Sequence, residues 1–238
     1  MPATWLAESA LQAPYAAVFA ATTLWFAFLY LLIAGGAYWL AVDRLPDSVE
    51  GAGRVQRLRP GQVREELLLS ALSILVFALQ AVLLVWLLRR GLLAIDWQRS
   101  AWHLLWELPL LYLWNEVHFF AVHRLLHWPP LYRSVHQWHH RSVVTTPFSA
   151  YSFHPVESFL LGAVMPLVLC VHAFSPWALL GLTLMSLLLN VSGHLPHERL
   201  TRAFAFAGAH ARFHNRHHRE FKVHYSFSLP FLDRLLRP

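Results

Sequence analysis

The chain has 238 residues, of which 57% are hydrophobic and only 13% charged, and its formal net charge is +6. Soluble domains run nearer ~45–50% apolar and ~25% charged, so this balance excludes an ordinary soluble protein and points to an integral membrane protein. A single cysteine, Cys170, excludes an internal disulfide and an iron–sulfur cluster held within the chain, which takes about four thiolates.

Four apolar regions follow one another. The first, 15–42, is continuous and long enough to cross a bilayer, for which about 20 residues suffice. The first basic residue is Arg44, so the run is expected to stay as an anchor rather than be cleaved as a leader. Asp43–Glu66, rich in Arg, Gly and Pro, reads as a cytoplasmic loop. The second region, 67–88, is closed by Arg89 and Arg90. The third, 101–122, is less pure, holding His103, Glu107, Asn115, Glu116 and His118. The fourth, 158–193, is too long for one simple crossing and is interrupted by Ser175-Pro176. Proline removes a backbone donor and disfavours helix in the residue before it, so this region is expected to be a helical hairpin.

The basic residues favour that hairpin. With it, sixteen Arg and Lys fall on one side and only Arg89, Arg90 and Arg99 on the other, the bias of a cytoplasmic face. The expected fold is all-α: a polytopic membrane helical bundle of three spans plus a helical hairpin, one domain over 1–238. A histidine-rich cytoplasmic cap is expected at 123–157 and 194–238. Topology accounts for the positive charge, so no nucleic-acid partner is expected.

Sixteen histidines are spread unevenly. His103 and His172 stand alone and read as core or interfacial rings, and His210 and His224 lean the same way. The rest cluster. The run H-F-F-A-V-H-R-L-L-H (His118–His127) ends an apolar helix, H-Q-W-H-H (His136–His140) follows, and H-N-R-H-H (His214–His218) repeats the spacing. At about 100° per residue, His123 and His127 share one helical face and Glu116 joins their stripe about 20° away, while His118 points elsewhere. In H-x-x-H-H the adjacent rings splay by about 100°, so they suit two neighbouring ions better than one. The clusters therefore suggest a dinuclear metal centre, with His194 a ninth candidate ligand. His154, before Pro155, begins a helix and is a ligand or an outer partner. A set with no Cys cluster and few carboxylates argues against structural zinc, calcium or magnesium, whereas imidazoles suit iron, zinc or copper. A zinc-dependent membrane hydrolase, a haem protein and a non-catalytic metal-binding membrane protein are the rival readings.

The runs N-E-V-H-F-F-A-V-H-R-L-L-H, L-Y-R-S-V-H-Q-W-H-H, A-Y-S-F-H-P-V-E and F-H-N-R-H-H resemble the fatty acid hydroxylase / sterol desaturase superfamily of membrane di-iron oxygenases. The likeness is close over Glu116–Glu157, looser over His194–Leu236, and before that rests on membrane spans alone. It implies His123, His127, His136, His139, His140, His214, His217 and His218 as metal ligands, with His194 a further one. It implies two iron ions, with zinc a possible substitute, and hydroxylation or desaturation of an unactivated C–H of a lipid with O2. Glu116, Asn190 and Glu157 are candidates for orienting the imidazoles, and His118 for an outer ligand or a polar contact in the bundle. This chain has Glu116 where the family commonly has Asp, and His224-Tyr225-Ser226 near the family's Asn-Tyr-Gly. Gly51-Ala52-Gly53 continues with Arg-Val-Gln and makes no dinucleotide loop. Electrons are then expected from a separate donor of the ferredoxin or cytochrome type.

Overall fold

A computed structural model describes residues 11–41, 48–51, 54–195 and 205–236. Arg44, Arg199, Arg202 and Arg237, which entered the charge count, lie outside the described residues. The described chain is helical except for one short antiparallel pair, β1 (Ser48–Gly51) and β2 (Arg54–Arg57), with Ser48 opposite Arg57. That pair sits in the segment expected to be a loop.

Helix α1 (Tyr15–Tyr30) passes through a wider π turn, Leu31–Gly35, into α2 (Gly36–Ala41). The long helix α3 (Gln62–Arg89) begins five residues earlier than the expected span. Gly61, at φ 77°, makes the left-handed turn ahead of it, a conformation glycine adopts without strain. Next come α4 (Leu104–Leu126), the short α5 (Pro129–Leu131), a π turn at Tyr132–His136 and α6 (Gln137–His140). After a tight turn at Pro147–Tyr151 follow α7 (Pro155–Gly162), α8 (Val164–Leu169), α9 (Pro176–Gly193), α10 (Ala205–Glu220) and α11 (Phe231–Leu235). The Ser175-Pro176 interruption is the start of α9: Ser175 Oγ accepts the Ala178 N–H at 3.1 Å, and Pro176 fills the first helical position.

Three segments, Tyr15–Leu40, Gln62–Arg89 and Pro176–Gly193, are long and apolar enough to cross a membrane. Helix α4 is long enough at 23 residues but not apolar enough, because Glu107, Asn115, Glu116, His118 and His123 are buried within it. The pair α7–α8 is shorter than a crossing.

Many large apolar side chains face outward, around an interior that mixes apolar clusters with polar residues. Leu24 is 70% exposed and Leu68 62%, whereas the buried face of α3 carries Gln62, Glu66, Ser70 and Ser73. Between lipid-embedded helices apolar burial gains little, and small and polar residues make the joints. The Tyr30 hydroxyl lies 2.9 Å from both Ser70 Oγ and the Phe148 carbonyl, and Ser73 Oγ donates to the Tyr151 carbonyl at 2.7 Å. Glu66 accepts from Gln62 Nε2 (2.8 Å), Ser142 Oγ (2.7 Å), Thr146 Oγ1 (2.5 Å) and Ser149 Oγ (2.8 Å). These contacts fasten α3 to residues 142–151, the segment that follows the second histidine cluster. At another joint Glu107 pairs with Arg99 at 2.7 Å and accepts the Ser175 N–H at 3.1 Å, tying α4 to the start of α9.

Candidate metal centre

Each histidine cluster arrives on a different element. His123 is in the last turn of α4 and His127 is the residue that ends that helix. His136 closes the π turn, and His139 and His140 sit on α6, so the second cluster does not lie on one unbroken α-helix. His194 follows α9, and His214, His217 and His218 are on α10. The fold brings all nine together in two groups: His123, His127, His136, His140 and His217, then His139, His194, His214 and His218. Within each group one ligand nitrogen per ring lies within 4.8 Å of all the others. Both adjacent pairs part: His139 and His140 go to different groups, as do His217 and His218. The two groups abut, the His140 and His218 rings being 4.7 Å apart.

Hydrogen bonds fix which nitrogen is free in five of the nine rings. His123 Nδ1 reaches the Tyr225 carbonyl (2.8 Å), His139 Nδ1 that of Ser152 (3.3 Å), His194 Nδ1 that of Asn190 (2.7 Å) and His217 Nδ1 that of Val223 (2.6 Å). His136 Nδ1 reaches Glu157 Oε1 at 2.8 Å. A carbonyl only accepts, so those Nδ1 atoms carry the proton and the Nε2 atoms carry lone pairs. The Nε2 atoms then face one another: His136 to His140 at 3.1 Å, His140 to His217 at 3.1 Å and His217 to His127 at 3.0 Å in the first group. In the second, His139 meets His194 at 3.4 Å, His194 meets His214 at 3.1 Å and His214 meets His218 at 3.2 Å. His139 and His194 thus oppose two lone pairs with no proton between them, an arrangement that a cation stabilises. Ligand nitrogens about 2.1 Å from one ion lie about 3.0–3.4 Å apart, the spacing found here. The donor set fits a pair of nitrogen-preferring metal ions.

Burial keeps these rings neutral, the state that binds metal. His136, His139, His140, His214, His217 and His218 are all held well below the usual 6.5, first by desolvation and then by neighbouring rings. Burial lowers His194 to about 4.

The other sequence candidates divide. Glu157 contacts a ring directly, its Oε1 lying 2.8 Å from His136 Nδ1. Among the described residues Glu116 has no hydrogen bond to an imidazole; it accepts the backbone N–H groups of Ser228 (3.1 Å) and Leu229 (3.0 Å) and the Ser228 hydroxyl. It acts at one remove, anchoring the segment whose Tyr225 carbonyl holds His123. Asn190 contributes its carbonyl to His194, while its side-chain amide donates to the Ser186 carbonyl at 2.9 Å. His154 caps α7, its Nδ1 accepting the Val156 N–H at 3.1 Å, and it belongs to neither group. His118 packs beside Trp114 and lines a cavity away from the two groups. His103 contacts Ser100, and His172 lies against Trp106 and Phe174. Sequence reasoning missed the carbonyls of Ser152, Val223 and Tyr225, because a backbone acceptor leaves no residue-type signal. It also set aside His210, whose Nε2 donates to the Leu189 carbonyl at 2.8 Å and ties α10 to α9 one turn before His214.

Two cavities lie beside each other, and the smaller one reaches the centre. One of about 260 Å³ lies among α1, α3, α4, α7, α8 and α9, and a slot of about 10 Å³ lies between it and the rings of His123, His136, His139 and His214. Phe119, Phe153, Leu161 and Asn190 line both. Glu157 also lines the slot, and its Oε2 has no partner among the described residues.

Membrane-crossing helices with a nine-histidine centre define a class, and comparison with known proteins gives its family. The family described as Fatty acid hydroxylase matches residues 108–237, more than half of the chain, and the chain belongs to it. Among its relatives are the Delta(7)-sterol 5(6)-desaturase of Saccharomyces cerevisiae, 46% identical over 59 residues (24% of this chain, 16% of that protein), and that of Aspergillus fumigatus, 30% identical over 137 residues (56% and 40%). Methylsterol monooxygenase 1 of Gallus gallus is 34% identical over 122 residues (50% and 40%). The chain spans less than half the length of each of these relatives. No solved structure matches it.

Proposed function

We propose that this chain is a membrane non-haem di-iron oxygenase that hydroxylates or desaturates an unactivated C–H bond of a lipid, using O2 and electrons from a separate donor. One observation carries the reading: nine imidazoles, eight of them buried, fall into groups of five and four, and five of them bond through Nδ1 so that Nε2 turns toward the neighbouring rings. His123, His127, His136, His140 and His217 would hold one ion, and His139, His194, His214 and His218 the other. Iron bound there would supply the O2-dependent redox chemistry that amino-acid side chains lack.

The chain's own residues do the rest. Glu157 and the carbonyls of Ser152, Asn190, Val223 and Tyr225 hold the Nδ1 protons and so aim five rings. Phe119, Phe153 and Leu161 narrow the passage between cavity and centre and exclude water from it. The nine ligands, the single-domain reading and the cytoplasmic placement of the centre belong to this proposal. The basic residues support that placement: with a return of the chain at Cys170–Ser175, Arg124, Arg133, Arg141, Arg212, Arg216 and Arg219 would lie on the side of the centre. The names of the relatives support a lipid substrate, and the arginine-rich face offers a donor of the ferredoxin or cytochrome type a place to dock.

The test is turnover of a lipid extract by iron-loaded protein in nanodiscs, with a chemical reductant, in air and under argon. The reading predicts products that carry one added oxygen or one added double bond in air only, and none from His139→Ala. Equal product under argon would sink it.

A further inference from the structure

We propose that helix α11 and the end of α4 form a seat for anionic phospholipid headgroups at the bilayer surface, beside the metal centre. The juxtaposition that carries this is two exposed arginines, Arg124 and Arg234, set among outward apolar side chains that prolong the outer stripe of α4. The proposal needs the chain to be embedded in a bilayer and needs neither iron nor oxygenase activity.

Helix α4 turns its polar residues inward and an apolar stripe outward. Trp106, Leu110, Leu113 and Val117 are all exposed, at helical spacings of four, three and four. The stripe does not stop at the histidines. Leu125, in the last turn, and Trp128, just beyond the helix, are exposed as well, Trp128 by 59%. Tryptophan concentrates where hydrocarbon meets headgroups, so Trp128 marks that depth. Arg124 lies one helical turn before Trp128, and its long apolar stem lets the guanidinium reach outward from the stripe.

Helix α11 repeats the combination. Leu232 is buried and fastens the helix, whereas Phe231, Leu235 and Leu236 are exposed, Leu235 by 72%. Phe231, Arg234 and Leu235 stand at i, i+3 and i+4 and share the outward face. Arg124 Nη1 donates to the Leu236 carbonyl at 2.6 Å, which sets that face against the end of α4. Neither Arg124 nor Arg234 forms an ion pair among the described residues, whereas Arg59, Arg99, Arg141 and Arg216 each have a carboxylate partner. Exposed apolar side chains rimmed by unpaired guanidinium groups fit a surface that is hydrocarbon below and negatively charged above. Because the apolar stripe continues from the membrane helix into the seat, the occupant is the bilayer itself. The seat also reaches the centre: Asp233 accepts the Tyr225 N–H at 2.9 Å and the Ser226 N–H at 3.1 Å, and the Tyr225 carbonyl holds His123. An occupied seat therefore steadies the segment that aims one ring.

The test is hydrogen–deuterium exchange, read by mass spectrometry over residues 225–236, of full-length protein in nanodiscs of phosphatidylcholine alone or with phosphatidylglycerol added. Wild type is expected to exchange about fivefold more slowly with phosphatidylglycerol, the worth of roughly one arginine at an anionic surface, and the difference should shrink in high salt. Arg124→Gln and Arg234→Gln should each remove most of it. Arg124→Lys keeps the charge and should retain the difference, even where loss of the Leu236 contact speeds exchange in both lipids. Arg64→Gln takes an exposed charge from α3 and should leave the difference intact. No difference in wild type, a difference kept in both glutamine variants, or one lost equally in Arg64→Gln overturns the proposal. Protection that follows the number of copies per nanodisc rather than lipid charge also overturns it and assigns the face to a second copy. Iron does not enter the readout, so this proposal and the oxygenase reading fail separately.

Discussion

Replacing Glu157 by Leu removes the partner that fixes the His136 ring. The two side chains are 1–2% exposed and joined at 2.8 Å, so no solvent takes the place of the lost acceptor. Without it the His136 proton is free to move to Nε2, the atom that faces His140 Nε2 at 3.1 Å, and a protonated nitrogen cannot bind metal. Loss of a partner of this kind costs about 10–100-fold in metal affinity, or about 1.4–2.8 kcal/mol. Glu157→Gln keeps an acceptor oxygen and is expected to lose no more than about tenfold. The assay is competition for ferrous iron between the full-length protein in detergent and a chelator of known affinity. Only the group of five contains His136, so one binding step should weaken and the other should not. Wild-type affinity at both steps in Glu157→Leu would refute the reasoning.

Three further outcomes follow from the same geometry. In Gly193→Ala the new Cβ would stand 2.9 Å from His210 Nε2 and 3.4 Å from His214 Cδ2; iron should fall in the group of four and persist in the group of five, as a chelator titration would read. In Glu66→Leu three buried hydroxyls and the Gln62 amide lose their shared acceptor, at about 1–3 kcal/mol for each one left unpaired; the melting temperature should drop by several degrees, and an unchanged value would contradict the role given to this carboxylate. Acid should destabilise the metal-free protein. Burial pushes His194 and His210 from 6.5 to about 4, so the unfolded chain takes up their protons first. Their contribution is full above about 6.5 and is lost as pH falls towards about 4; melting curves at pH 7.5 and 5 test it, and a flat profile would count against it.

Much of the centre was legible because its chemistry lies in residue type and spacing. His123 and His127 at i and i+4, and the splayed neighbours of H-x-x-H-H, carry their directions on the helix itself. The helical spacing thus separates His139 from His140 and His217 from His218 before any tertiary contact is known. What spacing cannot carry is a partner supplied by the backbone. The acceptors for His123 and His217 come from Tyr225 and Val223, in an irregular stretch that Glu116 and Asp233 hold in place. Tyr225 N–H reaches Asp233 at 2.9 Å. Glu116 lay on the expected stripe of α4, yet its carboxylate is taken by Ser228 and Leu229, a tertiary choice that no helical wheel shows. The fold was legible as apolar runs and a proline break. The early start of α3 was not, because Gln62 and Glu66 look like loop residues until their partners at 142–149 are brought against them. That Asn115 and Ser186 line one cavity was likewise hidden, since they are far apart in sequence.

The most direct check is elemental analysis of full-length protein purified from iron-replete cells, paired with the same measurement on His139→Ala and His140→Ala. The account predicts about two irons per chain in wild type, and about one in each variant, because the two rings belong to different groups. A single iron in wild type, zinc in place of iron, or one variant losing both ions while the other loses none would contradict it.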